Sequence, residues 1–256
     1  MSQWVINGIR TGIKTTSYPS EIESAAGVTP GLPIGSQPAA ASAEALIECC
    51  PTQVFRLEGG EVKADVRRCI HCYRCIRAVE SKSDWQQTYE WSLLRNAENE
   101  FLPAFQKSIH ILVVDAGDCG SCLNEVKQLN NPYYNMHRLG FFITPSPRHA
   151  DVLLVVGPVT DHMCFTLEKI YDAMPTPKRV MAVGVCALSG GIFAESLVST
   201  RGVAEVLPVD VEVPGNPAPP LAILHGLFVL TGRKAPAAMI STPPETEATK
   251  KKYGRE

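Results

Sequence analysis

The sequence predicts an α/β protein, in which a doubly wound parallel sheet follows a small α+β domain. From about residue 108, short apolar runs alternate with segments long enough for helices, as buried parallel strands require. Before that point, cysteines lie on both sides of a segment with the pattern of a hairpin. The predicted strands are 109–114, 152–156, 180–183 and 206–209, and the predicted helices lie near 122–130, 163–173 and 219–231.

The first group of cysteines has a spacing that is typical of an iron-sulfur site. Cys69, Cys72 and Cys75 recur at steps of three, and a Cys50-Pro51 pair lies nineteen residues before Cys69. In two-cluster ferredoxins, such a run supplies three thiolates to one cluster, and a cysteine before a proline ligates the other. By this template Cys50, Cys69, Cys72 and Cys75 hold one 4Fe-4S cluster.

The second cluster of that template is missing. Its cysteines would stand at positions that are occupied here by Ala40, Ala43, Leu46 and Val79. Residues 1–82 therefore resemble a bacterial-type ferredoxin module that keeps one of its two clusters. Between the two cysteine segments, Gly59-Gly60 separates two short runs with strand character, which predicts the hairpin of such a module.

Zinc and disulfides are the alternatives for these cysteines. Structural zinc usually takes two separated Cys-x2-Cys pairs, which is not this spacing. The chain has nine cysteines, an odd number, and its first residues lack the pattern of a secretory signal. We therefore expect a reducing compartment, where cysteines bind metal or stay free. Cys49 and His71 are predicted to be non-ligands beside the site.

A second group of cysteines follows the predicted strands of the sheet. Cys119 and Cys122 come after the first strand, and Cys186 comes after the third. Because functional groups gather at the carboxyl ends of parallel strands, these thiolates are expected to converge. Glycines around them would let backbone N-H groups approach a second iron-sulfur cluster.

Several short motifs now carry a more specific resemblance. Residues 108–232 resemble the small subunit of group 4 membrane-bound NiFe hydrogenases, including formate hydrogenlyase, and equally the 20 kDa subunit of complex I. The resemblance implies a flavodoxin-like sheet. Its motifs are Cys119-Gly-Ser-Cys122, Pro145-Ser-Pro-Arg148-His-Ala-Asp151, Gly157-Pro-Val-Thr160, Gly184-Val-Cys186-Ala, Gly190-Gly-Ile-Phe193 and Val213-Pro-Gly215.

The sequence departs from this family at one ligand. Where the family has a fourth cysteine after Val-Pro-Gly, this chain has Asn216. An amide oxygen suits iron in a sulfide cluster poorly. Three states stay open: a 4Fe-4S cluster whose fourth iron carries Asn216, water or a partner's side chain, a 3Fe-4S cluster, or a degenerate site. Cys164 is a further candidate for the missing ligand.

The resemblance also assigns roles to residues that are not ligands. Glu125 stands where the family has an acidic residue near its large subunit, which allows a role in proton movement beside simple capping of the helix start. Arg148, His149 and Asp151 are expected to brace the loop over the second cluster.

The predicted organisation has four parts. A ferredoxin-like 4Fe-4S domain (1–82) is followed by a connecting helix (83–106), a hydrogenase small-subunit-like domain (107–238) and a flexible tail (239–256). By this resemblance the chain would be a fusion of two neighbouring iron-sulfur subunits of such complexes.

The predicted function follows from these parts and from what the sequence lacks. No nucleophile set and no phosphate-binding glycine loop is recognised, so the chain is expected to relay electrons without making bonds. The formal charge of -2 does not favour nucleic acid. The expected partners are a large NiFe-hydrogenase-like or 49 kDa-like subunit, membrane-embedded subunits and a formate or CO dehydrogenase module. The expected place is the cytoplasmic side of the membrane, bound peripherally. The alternative is a structural or assembly subunit with a degenerate second site.

Overall fold

The computed structural model describes residues 2–23, 31–33, 36–38, 43–78, 85–96, 107–193, 196–199 and 202–237. The predicted tail 239–256 lies outside them. The strands are β1 (Leu32–Pro33), β2 (Ser36–Pro38), β3 (Phe55–Glu58), β4 (Glu61–Ala64), β5 (Trp85–Gln86), β6 (Leu93–Leu94), β7 (Ile109–Asp115), β8 (Phe141–Ile143), β9 (Val152–Val156), β10 (Arg179–Val183) and β11 (Val211–Val213). The α-helices are α1 (Gln3–Thr11), α2 (Ala43–Cys49), α3 (Arg74–Ala78), α4 (Ser121–Gln128), α5 (Asp161–Ala173), α6 (Val185–Ser189) and α7 (Pro220–Leu230).

The main sheet has six strands in the order β6-β11-β10-β9-β7-β8. Five of them are parallel, and the edge strand β6 runs antiparallel to β11. Numbered along the chain, the five parallel strands have the order 2-1-3-4-5, which is the flavodoxin-like arrangement. The prediction of a doubly wound α/β sheet is confirmed, with one antiparallel strand added at its edge.

Helices cover both faces of this sheet. Leu154 and Val156 of β9 belong to the same buried cluster as α4 and α7, whereas Leu153 and Val155 pack in a second cluster with α5. All five residues of β9 are buried, and so are all five of β10. This is the reason for their continuous apolar sequences, because a strand covered on both faces has no solvent side.

The fourth predicted strand, 206–209, is wrong, because the strand begins five residues later in the chain. The structure has a 3-10 turn at Val203–Glu205 and places the strand at Val211–Val213. Leu207 and Val209 are buried in the second cluster without being in the sheet, so a buried loop carries the same apolar signal as a strand. Pro208 within this run has no N-H group for a ladder, which counts against a central strand.

The predicted connecting helix is also wrong over the part that the structure describes. Residues 85–96 contain the two short strands β5 and β6 and no helix, while 83–84 and 97–106 lie outside the described residues. The aromatic residues of this segment contact different neighbours: β5, which contains Trp85, pairs with β1, and Trp91 is 2% exposed in the main core.

The N-terminal part forms two small antiparallel sheets, β1 with β5 and β2-β4-β3. The predicted hairpin is confirmed as β3-β4, in which Glu58 pairs with Glu61. The intervening Gly59 and Gly60 have φ of 63° and 86°. Two successive residues with positive φ are what a two-residue hairpin turn of this handedness requires, and glycine adopts that conformation without a steric penalty.

The N-terminal part and the sheet share one hydrophobic core. Tyr18, Val54 and Val66 belong to the same buried cluster as α7 and one face of the sheet. The Ser189 hydroxyl of α6 donates to the carbonyl of Arg67 at 3.1 Å. The half-buried Arg95 and the buried Glu212 form an ion pair of 2.6 Å beside β6 and β11. The cysteines of both groups therefore lie in one packed body.

Candidate functional site

Four cysteines of the first group line a single pocket. Cys50, Cys69, Cys72 and Cys75 surround it, and the rest of its wall is largely apolar. The other lining residues are Pro33, Thr52, Val54, Phe55, Ile70, Tyr73, Arg74 and Trp85. The structure thus brings together all four predicted ligands, although Cys50 is remote from the other three in sequence.

The backbone around these cysteines is wound tightly. His71 and Tyr73, on either side of Cys72, have φ of 53° and 56°, and Gln53 also has φ of 53°. Residues other than glycine rarely adopt this left-handed conformation outside functional sites, where the surrounding structure holds it in place. The loop then enters α3 at Arg74, and the buried Cys75 lies in the first turn of that helix.

Burial, followed by repulsion from neighbouring cysteines, raises the pKa of Cys69 and of Cys75. Burial raises the pKa of Cys69 to about 12, the His71 N-H lowers it as a hydrogen-bond donor, and the neighbouring Cys75 raises it further. The N-H of Val54 also donates to the Cys50 sulfur at 3.3 Å. Backbone donors of this kind stabilise thiolate charge once a cation displaces the protons.

Cys49 is close to the pocket but does not line it. Its charge would raise the pKa of Cys75, so the two sulfurs are near neighbours. Its thiol, however, donates to the carbonyl of Leu46 at 3.2 Å, back along α2. Cys50 is therefore the cysteine of this pair that is directed into the pocket.

The donor set of the first pocket fits an iron-sulfur cluster. Among the described residues, no group of three or more His, Cys, Asp or Glu side chains is arranged to hold a single metal ion. A cluster makes a different demand, because its four thiolates bind different iron atoms and so surround the group from several sides. Four free thiols around an apolar pocket with nearby N-H donors meet that demand.

The second group of cysteines lies at the carboxyl edge of the main sheet. The register pairs Asp115 with Val156, and Val156 and Val213 with Val183, so the loops that follow β7, β10 and β11 leave the same edge of the sheet, with β9 between β7 and β10. Cys119 and Cys122 belong to the first of these loops and Cys186 to the second. The predicted convergence at one sheet edge agrees with this placement.

Burial dominates the chemistry of this group as well. It raises the pKa of Cys122 to about 12 and that of Cys186 to about 11. Cys119 is exposed, and its charge raises the pKa of both other thiols. These mutual effects require the three sulfurs to be neighbours. The N-H of Ala218 acts in the opposite direction, as a hydrogen-bond donor that lowers the pKa of Cys122.

Asp118 is a functional residue that the sequence analysis missed. One of its carboxylate oxygens accepts from the N-H groups of Gly120 and Leu123, each at 3.0 Å, and so caps α4 beside Cys122. Its negative charge also raises the pKa of Cys122 and Cys186. An aspartate near a helix start was the available signal, since such residues are favoured as caps.

Two glycines leave room for the sulfurs. A Cβ atom at Gly184 would lie 2.4 Å from the Cys122 sulfur, and one at Gly191 would lie 2.9 Å from the Cys186 sulfur. Both distances are shorter than real Cβ contacts allow. Any larger residue would push the thiols out of place, so the predicted close approach of backbone to this group has a specific steric basis.

Asn216 lies in the segment after β11, and its side chain is directed at the first group of cysteines. Its Nδ2 donates to the carbonyl of Ile70 at 3.3 Å, and its backbone N-H donates to Nδ1 of His71 at 3.2 Å. Three thiols are therefore available at the second site, enough for a cluster with three cysteine ligands. The first site, with four thiols, provides a complete ligand set.

The other candidate residues take ordinary positions. The Cys164 thiol donates to the carbonyl of Thr160 at 3.5 Å, and its pKa is raised by burial, then by Asp161 and Glu168. Glu125 is half-buried on α4, and burial raises its pKa. Its role in proton movement stays a prediction.

The expectation for Arg148, His149 and Asp151 is wrong. They precede β9 and so lie at the amino end of the strand, opposite to the edge that carries the cysteine loops. There Asp151 accepts from the N-H of His110 at 2.7 Å and ties the start of β9 to β7. The motif has a structural explanation at that end of the sheet.

Trp91 fixes the segment that contains Asn216. Its indole Nε1 donates to the carbonyl of Pro214 at 2.9 Å from a buried position. We expect Trp91→Phe to lower the free energy of unfolding by about 1–3 kcal/mol, because the buried carbonyl loses its partner. Urea denaturation measures this. Trp4→Phe is the control, since Trp4 is 75% exposed and its change should stay within about 0.5 kcal/mol. Equal effects of the two variants would contradict the assignment.

Comparisons with known proteins place the sheet and its cysteine loops in a family. The model of the 20 kDa subunit of NADH ubiquinone oxidoreductase matches residues 119–230. An uncharacterized protein of Methanocaldococcus jannaschii is 46% identical over 123 residues, which are 48% of this chain and 82% of that protein. A probable membrane-bound hydrogenase subunit of Pyrococcus furiosus is 38% identical over 139 residues, 54% of this chain and 83% of that subunit.

A solved structure of an archaeal membrane-bound sulfane sulfur reductase contains a chain that is 29% identical, with a TM-score of 0.45, covering 52% of this chain and 76% of that chain. The sequence matches are long relative to the relatives themselves and include the loops of Cys119, Cys122 and Cys186. The chain therefore belongs to the family of the 20 kDa subunit of NADH ubiquinone oxidoreductase, which it shares with small subunits of membrane-bound hydrogenases.

Proposed function

We propose that this protein is the iron-sulfur electron-transfer subunit of a complex I-like or group 4 hydrogenase-like oxidoreductase. Its family membership supports a subunit of such a complex. The observation that carries the relay function is that one packed body contains two sets of cysteine thiols. Four thiols surround a pocket, and three lie at the sheet edge. When bound, the clusters supply one-electron chemistry, and the residues of this chain hold and tune them.

The first site belongs, in this proposal, to a ferredoxin-like domain over residues 1–82. Cys50, Cys69, Cys72 and Cys75 hold its 4Fe-4S cluster. The support is the pocket that all four line and the hairpin and two short helices around it. Ala43 and Leu46, which stand where the template has ligands for another cluster, are buried apolar residues of α2. At these two positions the side chains pack in the core where the template has cluster ligands.

The second site is proposed to bind a cluster through Cys119, Cys122 and Cys186. Reluctance of buried thiols to ionise does not oppose this, because iron displaces their protons and supplies the compensating charge. With one thiolate fewer than usual, such a cluster carries less negative charge and its reduction potential should be higher. Electrons entering at the first site would then be drawn toward the second.

An apolar surface beside the second site suits a large partner subunit. Ile192 and Phe193 are 63% and 51% exposed. They directly follow Gly191, where an added Cβ would lie 2.9 Å from the Cys186 sulfur. Leu197 and Val198, which also follow α6 and precede Val203, are 100% and 67% exposed. Exposed apolar residues in such a group mark interaction sites. We assign this surface to a NiFe-hydrogenase-like or 49 kDa-like subunit.

The wider assembly is proposed by analogy with the relatives. It comprises membrane-embedded subunits and a formate or CO dehydrogenase module as electron donor, with this chain bound peripherally on the cytoplasmic side. Within the described part of the chain, no helix has both the length and the apolar character needed to cross a membrane.

A structural or assembly subunit is the second candidate function. The observation that favours it is Asn216, whose amide takes the fourth-ligand position but bonds to Ile70. In that case the second site holds no cluster, and the fold only supports its neighbours.

Iron and acid-labile sulfide in anaerobically purified protein separate the two functions. We expect about seven or eight iron atoms per chain if both sites are filled, and about four if only the first site is filled. The metal-to-protein ratio is measured by colorimetric iron and sulfide assays together with absorbance in the visible range. Protein without iron or colour would overturn the proposed function altogether.

A further inference from the structure

One short segment of the chain is bonded to both cysteine sites. It runs from Val213 to Ala218 and has Asn216 near its middle. Asn216 donates twice to the first site, from its side-chain Nδ2 to the Ile70 carbonyl at 3.3 Å and from its backbone N-H to His71 Nδ1 at 3.2 Å. Ile70 and His71 lie between the predicted ligands Cys69 and Cys72.

The same segment is fixed to the second site by its neighbours. The carbonyl of Gly215 accepts from the N-H of Val185 at 2.8 Å, next to Cys186, and the carbonyl of Val213 accepts from the N-H of Gly184 at 2.9 Å. The N-H of Ala218 donates to the Cys122 sulfur. Asn216 therefore bonds to the first site, while residues on both sides of it bond to the second site.

His71 is held in the orientation that this link needs. Its ring lies 6.5 Å from the rings of both Tyr73 and Trp85, and its backbone has a positive φ of 53°. Because Nδ1 accepts a hydrogen bond, the neutral ring carries its proton on Nε2.

The geometry of the Asn216 amide also bears on its chemistry. Its neighbour is a carbonyl oxygen, so the group that faces Ile70 is the NH2 donor of the amide. The side chain is thereby committed to the first site. A ligand of the second site would instead have to direct its oxygen to the three cysteines there.

We infer that Asn216 is a positioning residue that links the two sites and tunes the first one, rather than a ligand of the second. The inference rests on the proposed function, since it concerns thiols that hold clusters. Its physical basis is electrostatic. The amide donor offsets the negative end of the Ile70 carbonyl dipole beside Cys69, and hydrogen bonding around a cluster is one control on its reduction potential.

The test compares the reduction potential of the first centre in the wild-type chain and in Asn216→Ala, both purified anaerobically at full length. EPR-monitored redox titration follows each centre separately. Without the amide donor, the Ile70 carbonyl makes the electrostatic potential at the first centre more negative. The midpoint reduction potential of the first centre should therefore shift to a lower value. A ligand role would leave that midpoint unchanged and alter only the signal of the second centre, which would overturn the inference.

Two further variants complete the test. His71→Phe keeps a ring beside Tyr73 and Trp85 but removes the acceptor for the Asn216 N-H, and we expect it to change the EPR signal of the second centre through the shared segment. Ser189→Ala is the control, because it removes another bond between the same two parts of the chain, that to Arg67. Its two centres should match the wild type, and equal shifts in Ser189→Ala and Asn216→Ala would contradict a specific link.

The outcomes also distinguish this inference from the proposed function. Protein without iron overturns both. Protein with iron whose first centre ignores Asn216→Ala overturns the link alone, and leaves the relay function standing. The measurement on the first centre decides even if the second site holds no cluster.

Discussion

Cys50→Ser is expected to remove about four iron atoms per chain, the content of one 4Fe-4S cluster. The pocket is lined by four thiols, and serine offers an oxygen where iron in such clusters takes thiolate. We expect the loss although Cys50 contributes to the pocket from a different segment than the other three ligands. Iron and sulfide assays on anaerobically purified protein measure it.

Cys49→Ser is the matched control for this prediction. The two cysteines are adjacent and both lie near the pocket, but the Cys49 thiol is bonded to the Leu46 carbonyl. We expect the variant to keep its iron content and its EPR signal. Iron loss in Cys49→Ser with full iron in Cys50→Ser would mean that the wrong cysteine of the pair had been assigned.

Gly184→Ala is expected to disable the second site. The added Cβ would lie 2.4 Å from the Cys122 sulfur, and Gly184 has φ of 91° and ψ of 153°, a conformation essentially confined to glycine. We expect backbone strain of about 1–3 kcal/mol, and overpacking of a similar size from the steric conflict. The iron that belongs to the second site should be lost while the first centre keeps its EPR signal.

Gly120→Ala provides a control in the loop between Cys119 and Cys122. Gly120 has φ of 92° and ψ of -14°, and a Cβ there would meet no atom within 4 Å. Left-handed strain of about 1–2 kcal/mol is expected, without displacement of a sulfur. Urea denaturation and iron content together separate the two effects. If both variants lost the same amount of iron, the close approach of Gly184 to Cys122 would not matter for the site.

Much of the sheet was predictable from sequence because its strands are buried on both faces. The runs at β7, β9 and β10 are continuous and apolar, and the helices between them have the expected lengths. The predictions failed where a local pattern has two structural explanations. The apolar residues Leu207 and Val209 pack in a loop, and the aromatic residues of 85–96 contact separate neighbours in the core.

The candidate sites were predictable to a similar extent. Cysteine spacing selected the four residues that line the first pocket, because ligand geometry constrains sequence positions directly. It did not reveal Asp118, whose carboxylate caps α4, or the bonds of Asn216 to Ile70 and His71. The Asp118 cap is local, and an aspartate near a helix start was a signal for it. The Asn216 contacts join residues that are 145 and 146 positions apart, and the periodicity of a single sequence does not reveal such pairs.

The core shared by the two parts has a consequence for how the chain is divided. Tyr18 packs against Phe228 with ring centroids 5.7 Å apart, although about two hundred residues separate them in sequence. If the chain were cut between the two cysteine groups, Tyr18 on one fragment and Phe228 on the other would both become exposed to water. Because both parts contribute to one buried cluster, we expect the described part of the chain to unfold as one unit.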